Sequence, residues 1–404
     1  MQQQVVSNRA VTVPVVVDYL LSHLGFFALM PVLPLVVGRL APDASGVFIG
    51  AALFVFTFAM RGASLLFATV LHGMPVRRAM SGGLLVAAAA FALLPAAPHP
   101  AVVVALLAVA GTGINVNGLM ARVFVAKCIS DPGARNTVFS AVQVAVNVSA
   151  AIGPVVANLV LDHEGETPLL LGVAATYVLT SGVVALTVPR GLAPRDGDVR
   201  PPVRWGIFAV IWQDRDVRRA SLVTAAGGFL YAQFFSAVVL HVASVTDEPL
   251  LRASVFTMNA VLVVVVQIPV AIWAKRALSR GVSPVRLMAV GVAVFAASFA
   301  ALSGAGHTLV GTLVAIAIFS FAETVFTPMV HTAFASLREG RSLVEVNNLR
   351  QVAATLGEST GSFVGGALFV TAAAQGAVGV YWGALAVLGV VACLPYLIRT
   401  GKKG

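Results

Sequence analysis

Runs of about twenty apolar residues, broken by proline, glycine and charge, recur twelve times along this chain and decide what it can fold into. A hydrocarbon core about 30 Å thick is crossed by about 20 apolar residues in a helix. Backbone surrounded by hydrocarbon must satisfy its own hydrogen bonds, and a helix does so within one segment. The runs fall near 12–38, 46–71, 79–97, 101–126, 135–161, 168–188, 219–245, 252–274, 285–304, 307–336, 346–372 and 376–398. The fold expected is an all-α membrane protein of twelve transmembrane helices. Only 10% of residues are charged, against about 25% in soluble domains, so most helix faces have no water to meet. The first run is too long for a signal peptide and has no Ala-x-Ala site, so it is expected to remain as a helix.

Most joins between runs are short, as in "HGMPVRR" and "PHP". The exception, 189–217, is rich in proline and charge and separates six runs from six. It predicts an N-terminal bundle over 1–188, a cytoplasmic linker over 189–217 and a C-terminal bundle over 218–404. The linker's "WGIFAVIW" predicts a short amphipathic helix on the membrane surface.

The net charge of +10 suggests nucleic acid until its distribution is examined. With the N-terminus in the cytoplasm, Arg77, Arg78, Arg122, Lys127, Arg135, the linker arginines, Lys275, Arg276, Arg280 and Arg286 all fall on that side. The opposite loops carry Asp43, Asp162, Glu164, Glu166, Asp247 and Glu248. Lys and Arg held on the cytoplasmic side orient a membrane protein. Both termini are therefore expected in the cytoplasm of a cell (inner) membrane, and no nucleic-acid partner is expected. Cys128 and Cys393 lie far apart and predict neither disulfide nor metal site. The outer "DHEGE" at 162–166 is a weak metal candidate, and the Gly-Thr-Gly at 111–113 lies inside an apolar run rather than in a phosphate loop. Nothing points to an enzyme, a metal or a bound cofactor.

The two sets of six runs resemble each other. A shift of 208 positions pairs Gln143 with Gln351, and it pairs Ser149, Gly153 and Ala157 with Gly357, Gly361 and Gly365. Each half thus carries three small residues spaced by four, a face on which helices approach closely. Two pseudo-symmetric six-helix bundles are expected.

With twelve helices, two halves and a central linker, the chain resembles the major facilitator superfamily over its whole length. "SAAIGPVVAN" resembles the Gly-Pro motif of the family's exporters, mostly proton-coupled antiporters, with Gly153 and Pro154 at the matching positions. "AETVFTP" is similar to a Gly-Glu-x4-Pro motif found in some proton-driven drug exporters and oligopeptide transporters, matched by Glu323 and Pro328. In "TVLHGMPVRR", Arg77 and Arg78 match the basic end of the family's loop between helices 2 and 3, while Gly73 stands where an Asp is usual. Leu107 and Ala110 replace the Arg and Gln often found in helix 4 of exporters. The resemblance implies alternating access, with Gly153, Pro154, Arg77, Arg78, Gly357, Gly361, Gly365 and Pro328 in conformational roles.

Ionisable residues inside spans are candidates for function, because each costs roughly 2.5–3.5 kcal/mol at the bilayer centre. Four qualify: Asp18, Arg61, Glu323 and Glu358. Glu323 lies mid-span beside Thr324 and Thr327, and burial favours its neutral form. A cavity open alternately to each side would let it load and release a proton. Glu358 shares a helical face with Gln351, Thr355 and Ser362 and is a second proton site or an attractor of cationic substrate. Asp18 and Arg61 are either an ion pair or, respectively, a proton site and a substrate contact. Asn115, Asn117, Gln143 and Asn147 are expected to form a polar patch, and Phe26, Phe27, Tyr231, Phe234 and Phe235 to line an apolar cavity. Substrate contacts are expected from Arg61, Asn115, Asn117, Gln143, Asn147, Phe26, Tyr231, Phe234, Gln351 and Thr355.

These readings predict a monomeric secondary transporter, driven by the proton gradient, that exports small, partly hydrophobic compounds with Glu323 as the main coupling acid. The alternatives are a proton-coupled symporter for peptide or nutrient uptake, a lipid flippase, a channel or a membrane enzyme.

Overall fold

In the computed structural model, residues 8–192, 206–337, 341 and 343–398 are described. All regular elements among them are helices. They are α1 (Asn8–Leu29), α2 (Leu33–Leu40), α3 (Gly46–His72), α4 (Val76–Leu93), α5 (Pro100–Cys128), α6 (Pro132–His163), α7 (Glu166–Thr187) and α8 (Gly206–Gln213). There follow α9 (Arg215–Ala232), α10 (Ala237–Val245), α11 (Pro249–Ser279), α12 (Pro284–Ala305), α13 (Leu309–Ser336), α14 (Leu343–Ala374) and α15 (Val378–Ile398).

Local chemistry sets the starts. Pro100, Pro132, Pro249 and Pro284 sit in first turns, where the missing N–H has no partner to lose. Asp131, Asp214, Ser283 and Thr308 each cap a helix by accepting a backbone N–H.

Two expected runs are not single helices. The run at 12–38 breaks between Leu29 and Leu33, around Pro31. The run at 219–245 breaks at a 3-10 turn over Gln233–Phe235, where no proline or glycine stands. There the Gln233 side chain donates to the carbonyls of Phe229 and Gly361 and accepts from the Tyr381 hydroxyl, 2.6 Å away. A buried side chain thus holds the irregular turn.

Eleven segments of the described residues are long and apolar enough to cross a membrane, α9 and α10 counting as one. The twelfth helix of the pattern is α14, interrupted by Glu345, Arg350 and Glu358. The chain is an all-α membrane protein, consistent with twelve spans.

The helices form two compact units. Unit 1 comprises Met1–Val32, Arg39–Pro42 and Phe58–Pro202, and unit 2 comprises Leu33–Gly38, Asp43–Thr57 and Val203–Gly404. These units do not follow the sequence division at 188 and 218 residue for residue. The first turns of α3 belong to unit 2, where Gly50 lies against the carbonyl of Phe363 and Thr57 Oγ1 is 3.2 Å from Ser362 Oγ. Of the 189–217 linker, residues 193–205 lie outside the described residues, as does Trp205 of the expected surface helix. That helix is α8, whose Ile207, Val210 and Ile211 pack on the core of unit 2 while Trp212 is exposed.

Each unit is built from the same helix pairs. In unit 1, α1 packs on α6 and α7, and α4 packs on α5 and α7. In unit 2, α9 packs on α14 and α15, and α12 packs on α13 and α15. The starts of α4 and α12, Val76 and Pro284, are 208 positions apart, as are the ends of α5 and α13, Cys128 and Ser336. The shift read from a few small residues is thus the repeat of the fold.

Candidate functional site

In unit 2, α13 carries Glu323 near the middle of its 28 residues. The side chain is half-buried, and both carboxylate oxygens have donors. Tyr231 Oη, from α9, donates to Oε1 at 3.4 Å, and Asn259 Nδ2, from α11, donates to Oε2 at 3.2 Å. Asn259 Nδ2 also reaches Ser320 Oγ at 3.0 Å, one turn before Glu323. The acid therefore does not stand alone among apolar side chains. Three helices converge on it, and the Tyr231 ring stacks on Phe319 beside it.

Also in unit 2, Glu358 on α14 is half-buried and packs by its Cγ beside Gly228 of α9. On the same face Gln351 donates to Thr355 Oγ1 at 3.4 Å. Phe234 is not a cavity wall: only 2% exposed, it stacks on Phe319 and packs against Phe256 in the core. Tyr231 and Phe235, both half-buried, are the aromatic residues of this turn closer to Glu323's level of exposure.

Unit 1 holds the second acid. Asp18, on α1, is fully buried, and its Oδ1 accepts from Asn117 Nδ2 of α5 at 3.1 Å. Among the described residues no ion pair joins Asp18 to Arg61, so the pairing left open by the sequence is replaced by an acid–amide contact. Arg61 is half-buried on α3.

The four amides expected to form one patch make hydrogen bonds to different partners. Asn115 donates to the Met60 carbonyl at 2.6 Å, Asn117 to Asp18, and Gln143 to Asn147 within α6. Asn115 and Asn117 are two positions apart, so they leave α5 in different directions. Phe26 meets Phe27 edge-on, with ring centroids 5.1 Å apart.

The small faces serve as packing surfaces in each unit. Gly153, one position before Pro154 inside α6, lies against the backbone of Phe27. Gly357, Gly361 and Gly365 lie against Ala225, Phe229 and Ser236. Pro328 lies inside α13, and at the start of α4 Arg77 is half-buried and Arg78 exposed. Sequence reasoning missed Asn259, Ser320 and Gln233. Each is a polar residue within an apolar run, the same signal that marked Asn115 and Asn117.

The family model described as Major Facilitator Superfamily matches residues 17–336. The multidrug resistance protein MdtH of Cronobacter sakazakii is 25% identical over 379 residues, covering 93% of this chain and 90% of that protein. MdtH of Yersinia pestis is 24% identical over 377 residues, with the same shares covered. Among solved structures, the POT family transporter PepTSo superposes with a TM-score of 0.78 at 12% identity, covering 97% of both chains. The nucleoside transporter NupG superposes with a TM-score of 0.74 at 12% identity, covering 97% of this chain and 100% of that one. With a family match over most of its length and a fold shared with these carriers, the chain belongs to the major facilitator superfamily, and it is a membrane transporter rather than an enzyme.

Proposed function

We propose that this transporter is a proton-coupled antiporter exporting small, partly hydrophobic compounds, with Glu323 as the coupling acid. The observation that carries the reading is the shell of Glu323, a mid-span carboxylate whose two oxygens are met by Tyr231 and Asn259. Movable donors around one ionisable group let it exist with and without its proton, which is what coupling requires. The multidrug resistance relatives support efflux and a cargo of this class. Glu358 and Asp18 are secondary proton sites. Arg61, Asn115, Gln143, Asn147, Phe26, Tyr231, Gln351 and Thr355 are candidate substrate contacts, and the small faces of α6 and α14 are surfaces on which helices slide. The protein works as a monomer in the inner membrane with both termini in the cytoplasm, and the bundles predicted over 1–188 and 218–404 are its moving parts.

The test is flux into proteoliposomes with an imposed proton gradient and a panel of lipophilic compounds. Glu323→Gln is expected to abolish gradient-driven movement while leaving substrate binding measurable. Unchanged accumulation would remove Glu323 from coupling, and accumulation in the direction of proton flow would replace antiport by symport.

A further inference from the structure

We propose that Asp18 and Asn117 form an acid–amide pair that holds one proton inside unit 1. Asn117 Nδ2 donates to Asp18 Oδ1 at 3.1 Å. The other oxygen of each group, Asp18 Oδ2 and Asn117 Oδ1, is buried and has no hydrogen-bond partner among the described residues. The residues themselves are 0% and 5% exposed.

Two orphaned acceptors on two groups already joined by one edge are a specific deficiency. Leaving either buried and unpaired costs about 1–3 kcal/mol, more for a charged group. A proton on Asp18 Oδ2 mends both at once. It turns the carboxylate into a carboxylic acid, and its O–H then donates to Asn117 Oδ1. The carboxyl and the carboxamide then share two hydrogen bonds, one in each direction. Release of that proton restores the carboxylate and the orphaned amide oxygen.

The contrast with Glu323 sharpens the assignment. Glu323 has a donor at each oxygen, a shell suited to the carboxylate. Asp18 has one donor, and its amide partner still lacks one, a shell suited to the acid.

Among the described residues no side chain donates a hydrogen bond to Asp18 Oδ2 or Asn117 Oδ1. On α1 the neighbours are Tyr19 and His23, and His23 Nδ1 is engaged with Ser22 Oγ. Tyr177 on α7 lies within electrostatic reach of Asp18, and its hydroxyl is also unpartnered. The charged groups on the neighbouring helices are Arg122 on α5 and Arg61 on α3, and neither makes an ion pair with Asp18 among the described residues. The length of α6 between Arg135 and Asp162 carries no titratable side chain. Asn117 is thereby a positioning residue for a proton and not a substrate contact.

The site's part in transport rests on the proton-coupled reading above, but the proton itself does not. Infrared difference spectra of the full chain in lipid nanodiscs read it directly. At pH 7 a carboxylic-acid C=O band is expected in the native protein and in Glu323→Gln. The band should be lost in Asp18→Asn and displaced in Asn117→Leu. Should Asn117→Leu fail to fold, Asp18→Asn alone decides, because an Asn at 18 can still hydrogen-bond the amide. Absence of an Asp18-dependent acid band between pH 5 and pH 8 overturns the proposal. So does a Na+-dependent rise in melting temperature that Asp18→Asn removes, which would make the occupant a metal cation. Failure of Glu323→Gln to affect flux, with the acid band intact, would remove the coupling reading and leave the pair standing.

Discussion

Gly361 on α14 sits directly against the main chain of Phe229 on α9: a methyl carbon built on Gly361 would lie 2.3 Å from the Phe229 carbonyl oxygen. A Cβ does not approach a non-bonded oxygen so closely, so the two helices can touch here only through glycine. Gly361→Leu is expected to force them apart and lower stability by about 1–3 kcal/mol, the usual range for overpacking. Gly172 on α7 has nothing within 4 Å of that position. There Gly→Ala is expected to be neutral or stabilising by about 0.5–1 kcal/mol through helix propensity. Thermal melts in detergent compare the two, and equal losses would show that close packing at Gly361 is not the cause.

The break in the first span of unit 2 yields a second prediction. Gln233 is fully buried, and its Oε1 accepts from Tyr381 Oη at 2.6 Å. Tyr381→Phe keeps the ring and strands that acceptor, so a loss of about 1–3 kcal/mol is expected. The double variant Gln233→Leu/Tyr381→Phe should cost less than the sum of the single changes, because the two residues form one network. Additive losses would mean that the hydroxyl and the amide act separately.

The same break marks what the sequence could not say. The break at 30–32 has a local cause, since Pro31 removes a backbone donor, whereas the turn at Gln233–Phe235 exists through bonds to Gly361 and Tyr381, 128 and 148 positions away. Helix number and the 208-residue repeat were legible for the opposite reason: hydropathy and small-residue spacing are local properties, repeated in each helix. Glu323 stood out as an acid in an apolar run, but its partners Tyr231 and Asn259 lie 92 and 64 positions off. For Asp18 the sequence offered Arg61 as a partner, whereas packing supplied Asn117, 99 positions away.

Asp214 caps α9 and pairs with Arg341, in the connection between α13 and α14. The Val217 amide N–H, with Arg341 and the Asp216 amide, holds its carboxyl below the usual carboxylate range. Folding therefore weakens its hold on a proton. The stabilisation is complete above about pH 4, where the unfolded carboxyl is ionised, and is lost as pH falls through the lower folded value. Asp214→Asn keeps a capping side chain and deletes the charge. Its melting point should lie one or two degrees below that of the native protein at pH 7, a partly exposed pair at the surface contributing about 0.2–1 kcal/mol. The difference should close as pH falls below about 4. A gap that persists in acid would assign the effect to packing.

The two donors on Glu323 allow coupling to be separated from binding. A hydrogen bond to a charged group contributes about 1.5–3 kcal/mol, equivalent to roughly ten- to a hundredfold in the balance between carboxylate and acid. Tyr231→Phe removes the donor to Oε1, and Asn259→Leu removes the donor to Oε2 and to Ser320. Each is expected to lower gradient-driven flux about tenfold or more while substrate exchange without a gradient continues, since exchange needs no net proton transfer. In the Glu323→Gln background, where driven flux is already expected to be lost, neither change should lower exchange, because the group they serve no longer titrates. If Tyr231→Phe instead impairs exchange to the same degree in both backgrounds, its hydroxyl contacts cargo rather than tuning the acid. Measuring both fluxes in the same proteoliposomes distinguishes these outcomes.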